Sequence, residues 1–552
     1  MRKMANILLL EPGYRNKYPP LGLMKIAAYH RSKGDHVVFS KGVKSKRNSE
    51  ISNIRWDRIY ITTLFSFEFK KIAETIDFAV NCVGDQRRRV FVGGIAASLM
   101  HDEFLKESRW FGVRFISGLL DKSPAESLQL DIDEGDFYAD DVNGVAIEEH
   151  TPDYSILEHI SDEYVYPVHD AYFGYASRGC IRKCHFCGVP KLEGKQRDSM
   201  TISELIRRIS SEHGEKRDLL LMDNNVSASA RYKEIIAEIR DNGFEKGAKL
   251  KRGKRSLQRR VDFNQGVDAR ILCKDKMYLQ EMSTICLRPL RIAFDHLGLK
   301  KSYVQAIRYA NEFDINYLSN YMLYNFYDSP ADLFGRLRIN IDLNEELGVR
   351  IWSFPMRYQP VTLKNRSHIG EKWIWYWLRS FQIILQATRG VVSGNPTFFK
   401  HAFGDTQEEF ETLLSMPHHM IMHRNYYDFG EGKAKKEQYR NLAIGMTKSQ
   451  RHDLLENLSQ ITSSGFHQLD DLISTQSDSR VKKILTFYRP ISAKEEERIR
   501  GKTKSAKLSS FGNVVDPVLG EDERVEDAGL YDNETASKTS PKQEQFRRRR
   551  VG

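Results

Sequence analysis

Three cysteines, Cys180, Cys184 and Cys187, stand in one short run, Arg178-Gly179-Cys180-Ile181-Arg182-Lys183-Cys184-His185-Phe186-Cys187, with the spacing CxxxCxxC. Three thiolates on one tight loop can hold three corners of a cubic iron–sulfur cluster. The fourth iron is then left open to a substrate or cofactor, unlike the electron-transfer clusters that take four cysteines. Zinc is the main alternative, but structural zinc asks for four ligands, usually from two knuckles. Cys82, Cys273 and Cys286 are scattered, and His185 lies between two of the cysteines, where the loop does not let it reach the same metal. Six cysteines in a long chain, with no signal peptide read at its start, are not expected to form a disulfide framework.

The elements that must position this run can be read on either side of it. Strand-like segments recur at Tyr172–Ser177, Leu219–Met222, Val261–Gly266, Leu290–Phe294, Asn320–Asn325 and Arg350–Pro355. Helical periodicity fills the intervals, at Ile202–Ser211, Tyr232–Asn242, Lys276–Ile285, Tyr303–Phe313 and Ala331–Leu347. Strands alternating with helices predict a parallel sheet or barrel. Barrel chemistry sits at the C-terminal ends of strands, and Cys180 falls just past the first. Other strand ends carry polar groups: Asp223-Asn224-Asn225, Asn264-Gln265 and Asp295-His296. Asp and Asn at such places also make ordinary Asx turns and helix caps, and Met and aromatic residues in strands also serve as plain core.

The cysteine run resembles the signature of the radical S-adenosylmethionine (radical SAM) family, in which an aromatic residue precedes the third cysteine, here Phe186. The resemblance implies a partial (β/α)6 barrel holding a [4Fe-4S] cluster on Cys180, Cys184 and Cys187. It implies S-adenosylmethionine chelated to the open iron, reductive cleavage to a 5′-deoxyadenosyl radical, and a reductase or flavodoxin/ferredoxin-type electron donor. Phe186 would lie beside the adenine. Asp223, Asn224 and Asn225 would seat the methionine amino group, where many members carry Gly-Gly-Glu. Gln265 and Asp295 occupy positions that touch the ribose and carboxylate, with Arg291 or Arg270 as carboxylate partners. No catalytic residue acting on a substrate is identified, and methyl transfer, methylthiolation, rearrangement and carbon–carbon bond formation share this front end. No second cysteine cluster is present, which disfavours sulfur insertion.

Residues 1–125 also alternate strand and helix, predicting a doubly wound parallel-sheet domain. Pro19-Pro20-Leu21-Gly22 and the strand end Gly93-Gly94 resemble the cobalamin-binding-like domain found ahead of many radical SAM cores. A base-off cobalamin site of that kind uses a DxHxxG run whose histidine ligates cobalt, and this chain has none; His30 and His36 do not match it. The domain is therefore expected to serve as a lid or substrate platform. A cobalamin-dependent methyltransferase is one rival reading. A non-enzymatic iron–sulfur protein that binds nucleic acid or senses redox state is another.

Residues 126–165 read as an acidic connecting segment, 166–365 as the core, 366–490 as an aromatic-rich helical domain and 491–552 as a disordered charged tail. The net charge of +11 permits a polyanionic partner such as nucleic acid. It is concentrated in Lys246–Arg260 and Arg547–Arg550, although such runs are commonly solvated. The first lies between a helix and the third core strand, on the side of a barrel opposite the cysteines. A mean hydropathy of −0.53 and the lack of a long apolar run predict a cytoplasmic protein without membrane spans.

Overall fold

The computed structural model describes residues 4–506 apart from 17, 44–50, 52, 130–140, 142, 161–163, 165–167, 388–389 and 463–465. Most of the acidic run expected within 126–165, and the tail from 507 with Arg547–Arg550, lie outside the described residues.

Five strands, β1 (Asn6–Glu11), β2 (His36–Lys41), β3 (Arg58–Thr63), β4 (Val90–Gly94) and β5 (Arg114–Phe115), form a wholly parallel sheet in the order β2-β1-β3-β4-β5. The run Ile7-Leu8-Leu9-Leu10 is buried throughout and alternates between two cores, Ile7 and Leu9 on one side, Leu8 and Leu10 on the other. Helix Leu21–Ser32 covers the first face and helix Phe69–Val83 the second. Continuous apolar strands are what a parallel sheet covered on both faces requires. His30 is fully buried between Asp35 (2.9 Å) and the Tyr60 hydroxyl (3.1 Å), so it belongs to the core, while His36 is exposed at the start of β2.

Six further strands run parallel: β6 (Ala171–Gly174), β9 (Asp218–Leu221), β12 (Arg260–Phe263), β13 (Leu290–Ala293), β14 (Tyr317–Tyr324) and β15 (Arg350–Arg357). They form two three-stranded sheets, β6-β9-β12 and β13-β14-β15, joined by the parallel bridges Val261–Leu287 and Val267–Ile292. Each expected core strand is present, with ends shifted by up to a few residues. Two antiparallel ribbons were not foreseen. The two-residue strands β7 (Ser177–Arg178) and β8 (Arg197–Asp198) pair across the neck of the cysteine loop. The basic block expected as a loop is instead the hairpin β10 (Lys249–Arg252) and β11 (Arg255–Gln258).

From Trp375 onward the described chain is almost wholly helical. Its aromatic residues meet the outer face of the core: Phe334, on helix Pro330–Leu347, lies 5.7 Å from Phe399 and 5.5 Å from Phe410 between ring centroids. One hydrophobic cluster runs from this layer into the first sheet. The tail expected to be disordered from 491 begins as a helix, Ala493–Ala506, because Ser492 caps it through Glu495 N–H and Ile499 is buried. Among the described residues no helix is long and apolar enough to cross a membrane.

Arg336 ties the strand ends together from inside. It is wholly buried and donates to the carbonyls of Phe294 (3.1 Å), Asp295 (3.0 Å) and Leu323 (2.7 Å) while pairing with the buried Asp328 at 2.7 Å. Removing one partner of a buried pair strands the other charge. Arg336→Met is expected to destabilise the core by roughly 3–5 kcal/mol, read as a lowered denaturant midpoint, whereas a change within error would show that water replaces the guanidinium.

Candidate metal centre

The cysteine loop leaves β6 and is gripped before it reaches its first thiol. The carboxylate of Asp223, at the end of β9, accepts the N–H of Ala176 at 2.9 Å, the N–H of Ser177 and the Ser177 hydroxyl at 2.7 Å. Asp223 is fully buried, and desolvation raises its carboxyl to about 6 despite these donors. Gly179 follows with a φ of +77°, and a Cβ there would stand 2.3 Å from the Lys195 carbonyl oxygen. Only glycine passes that point unstrained. Glu193, on the returning limb, accepts Gly179 N–H (2.7 Å) and the Asn224 amide (2.9 Å).

Within the loop all three thiols are free and partly buried. Backbone N–H groups point at two of them: Arg182 at the Cys180 sulfur (3.4 Å) and Val189 at the Cys187 sulfur (3.5 Å). Desolvation raises the Cys184 and Cys187 thiols; Cys184 also feels Asp295 and Cys180, and Cys187 feels Cys184, Cys180 and Asp295. Arg270 opposes the rise at Cys184, electrostatically and by a hydrogen bond. Among the described residues no three His, Cys, Asp or Glu side chains converge on one point as a single-ion site. A cube whose irons each take one thiolate does not ask the sulfurs to meet at a point. Free thiols with inward N–H donors are a donor set that suits an iron–sulfur cluster.

Asp268 emerges as a further site residue. Its carboxylate holds Arg182 of the loop at 2.6 Å and the Arg270 side chain at 2.8 Å. Burial would raise it, but Arg270 and Arg182 outweigh that and keep it below the usual carboxylate range. This clamp was invisible in the sequence because Arg182 and Asp268 lie 86 positions apart.

The other expected residues divide. Phe186 sits edge-on to Phe326 at 5.8 Å, and Phe326 meets Tyr358 at 4.5 Å, an aromatic wall past the ends of β14 and β15. Asp295 is partly buried near Cys184 and Cys187, and desolvation raises it to about 6. Asn224 is half-buried at the loop. Asp223 and Asn225 are buried in the local fold, Asn225 accepting the Ser227 hydroxyl at 2.7 Å. Gln265 is exposed and makes no hydrogen bond among the described residues. Arg291 is committed to Asp262 by two bonds of 2.8 Å, which leaves Arg270 as the arginine beside the thiols.

The first sheet meets this loop. A Cβ on Gly188 would touch Leu99 at 2.7 Å, Asp121 pairs with Arg197 at 2.6 Å, and Tyr18 donates to Asn264 at 2.7 Å. Ligands of open α/β sheets enter where strand order reverses, here between β1 and β3. At those strand ends the Tyr14 side chain is buried, edge-on to Phe65 at 5.5 Å, with its hydroxyl accepting Leu64 N–H. His30 and His36 lie at the other edge, so these residues offer cobalamin no histidine ligand.

No protein-family model matches the chain, and no curated protein matches it. Among solved structures it is similar to the radical S-adenosylmethionine methyltransferase TsrM from Kitasatospora setae with cobalamin and [4Fe-4S] cluster bound, at 13% identity and TM-score 0.45, over 66% of this chain and 78% of that one. TsrM with tryptophan substrate and the SAM analogue aza-SAM bound gives 14%, 0.45, 65% and 75%. The apo form of the cobalamin-dependent S-adenosylmethionine radical enzyme OxsB gives 11%, 0.43, 96% and 83%. Likeness at this level assigns no activity to the chain.

Burial raises Cys184 and Cys187. Peptide mapping of metal-free protein treated with iodoacetamide should therefore find both labelled more slowly at neutral pH than a free thiol, with rates rising above the ordinary thiol pKa of about 8.5. Asp268→Asn should lower iron and sulfide content severalfold with unchanged far-ultraviolet circular dichroism, and Asp268→Glu should restore it. Full loading of the Asn variant would remove Asp268 from the site.

Proposed function

We propose that this chain is a radical SAM enzyme. The observation that carries the reading is one constrained loop presenting three free thiols at the C-terminal mouth of six parallel strands. On this reading β6, β9 and β12–β15 are a partial barrel spanning the core at 166–365. Residues 1–125 are a platform over its mouth, and 366–490 are a helical buttress. Cys180, Cys184 and Cys187 hold a [4Fe-4S] cluster, Phe186 flanks the adenine, and Asn224 seats the methionine amino group on a turn kept in shape by Asp223 and Asn225. Asp295 faces the ribose, and Arg270 the carboxylate.

When bound, the cluster and S-adenosylmethionine would supply 5′-deoxyadenosyl radical chemistry, the means of activating an unreactive C–H bond. The chain's own residues position and shield. Phe186, Phe326 and Tyr358 wall one side of the mouth with aromatic rings. The Asp268 clamp keeps Arg270 at Cys184, where a fixed cation offsets the negative charge of three thiolates. Tyr18, Leu99 and Asp121 hold the first sheet over the loop, which limits water at the site. The reading assigns the protein to the cytoplasm, where thiols stay reduced, with a flavodoxin- or ferredoxin-type donor.

The test is anaerobic purification, reduction with dithionite, addition of S-adenosylmethionine and chromatography for 5′-deoxyadenosine, beside the Cys180/Cys184/Cys187→Ala variant. Product from the native chain alone is expected. Fully loaded iron and sulfide without product, with or without candidate substrates, would sink the reading in favour of a cluster that senses or binds.

A further inference from the structure

The hairpin β10–β11 stands apart from everything described so far. Its register pairs Lys249 with Gln258, Leu250 with Leu257, Lys251 with Ser256 and Arg252 with Arg255. Gly253, at φ +58°, opens the two-residue turn, as such turns require. The ribbon is anchored: Leu250 is buried, the Gln258 amide donates to the Ala248 carbonyl at 2.8 Å, and Arg252 pairs with Asp170 at 2.6 Å. Arg259, just past its end, is buried against Glu215 and lies over the Phe244 ring at 4.6 Å.

Two cations of the block therefore hold the ribbon in place. Lys246, Lys249, Lys251, Lys254 and Arg255 are exposed and make no ion pair or side-chain hydrogen bond among the described residues. A charge run on a wandering loop is usually just solvated. Here a paired backbone displays the cations on a fixed strip, where they repel one another and no described carboxylate pairs with them.

We propose that this ribbon docks the phosphate backbone of a nucleic acid. Exposed positions on the strands and turn are Lys, Arg, Ser, Gln and Gly. Protein interfaces draw their energy from buried aromatic and aliphatic anchors, and interfacial membrane segments from an apolar face; the ribbon exposes neither. A strip of cations and small polar groups without an apolar centre is what phosphate contacts use, from Lys and Arg with Ser and Gln beside them. Asp170 immediately precedes β6 and Arg259 immediately precedes β12, so the ribbon lies at the N-terminal edge of the strands. The cysteine loop is at the C-terminal edge. The docked strand is held away from the thiols, as an exosite rather than a substrate seat, and the inference stands whether or not the chain does radical chemistry.

The test is fluorescence anisotropy of the full-length protein with a labelled single-stranded RNA and a labelled DNA duplex, between about 50 and 200 mM salt. Lys249→Glu/Lys251→Glu/Lys254→Glu is expected to weaken binding at least about tenfold. It should also flatten the slope of log K against log salt, by about 0.7 for each phosphate no longer neutralised on a single strand and about 0.9 on duplex. The triple Lys→Arg variant should bind like the native chain, and Arg547–Arg550→Ala should leave the ribbon's share intact. Native binding equal to that of the Glu variant would overturn the proposal. So would abolition of all binding in the tail variant, or competition by polyglutamate as strong as by unlabelled RNA.

Discussion

The buried carboxylate of Asp223 ties the first residues after β6 to the end of β9, and the placement of every thiol depends on that tie. A carboxylate taken out of water is costly unless several donors meet it. Two backbone N–H groups and a hydroxyl do so here, and they fix where the chain leaves the strand. The β7–β8 pairing then closes the neck of the loop, Gly179 allows the sharp passage against Lys195, and Glu193 binds one limb to the other. The cysteines ride on a loop whose shape is set by carboxylates, a glycine and two short strands, with backbone N–H groups turned to the Cys180 and Cys187 sulfurs.

A second layer of ionic ties makes the mouth. Arg336 gathers the carbonyls at the ends of β13 and β14, Arg291 and Asp262 neutralise each other inside the strands, and Asp268 reaches from beyond β12 to the cysteine loop. Parallel strands leave their C-terminal carbonyls and loops unpaired, and buried arginines with several donors satisfy many acceptors at once. The same network leaves Arg270 beside Cys184 and Asp295 in the field of Cys184 and Cys187. The groups that shape the mouth therefore also set its electrostatics.

The two ends of the core have opposite characters. At the C-terminal end stand aromatic rings, free thiols and paired ions. At the N-terminal end, an ordered ribbon carries cations that no carboxylate among the described residues neutralises. The two ends differ because parallel strands segregate all their leaving loops to one edge and all their arriving loops to the other.

The α/β class, the six core strands and the cysteine run were legible in the order of residues, because periodicity and close spacing are local properties that survive without a structure. The same local reading excluded a DxHxxG site. What each polar strand end does was not legible there. Asp223, Asn224 and Asn225 are adjacent and alike in sequence, yet the first is a buried tie, the second stands at the loop and the third closes its own turn. That difference comes from partners 46 and 31 positions distant in the first two cases, which no local pattern encodes. Arg291 and Arg270 were interchangeable on paper until Asp262 claimed one and Asp268 turned the other toward Cys184. The basic block had the composition of a loop; a glycine turn and one buried leucine made it a ribbon. That five of its cations stand without a carboxylate partner among the described residues could be seen only once distant segments had been brought around them by folding.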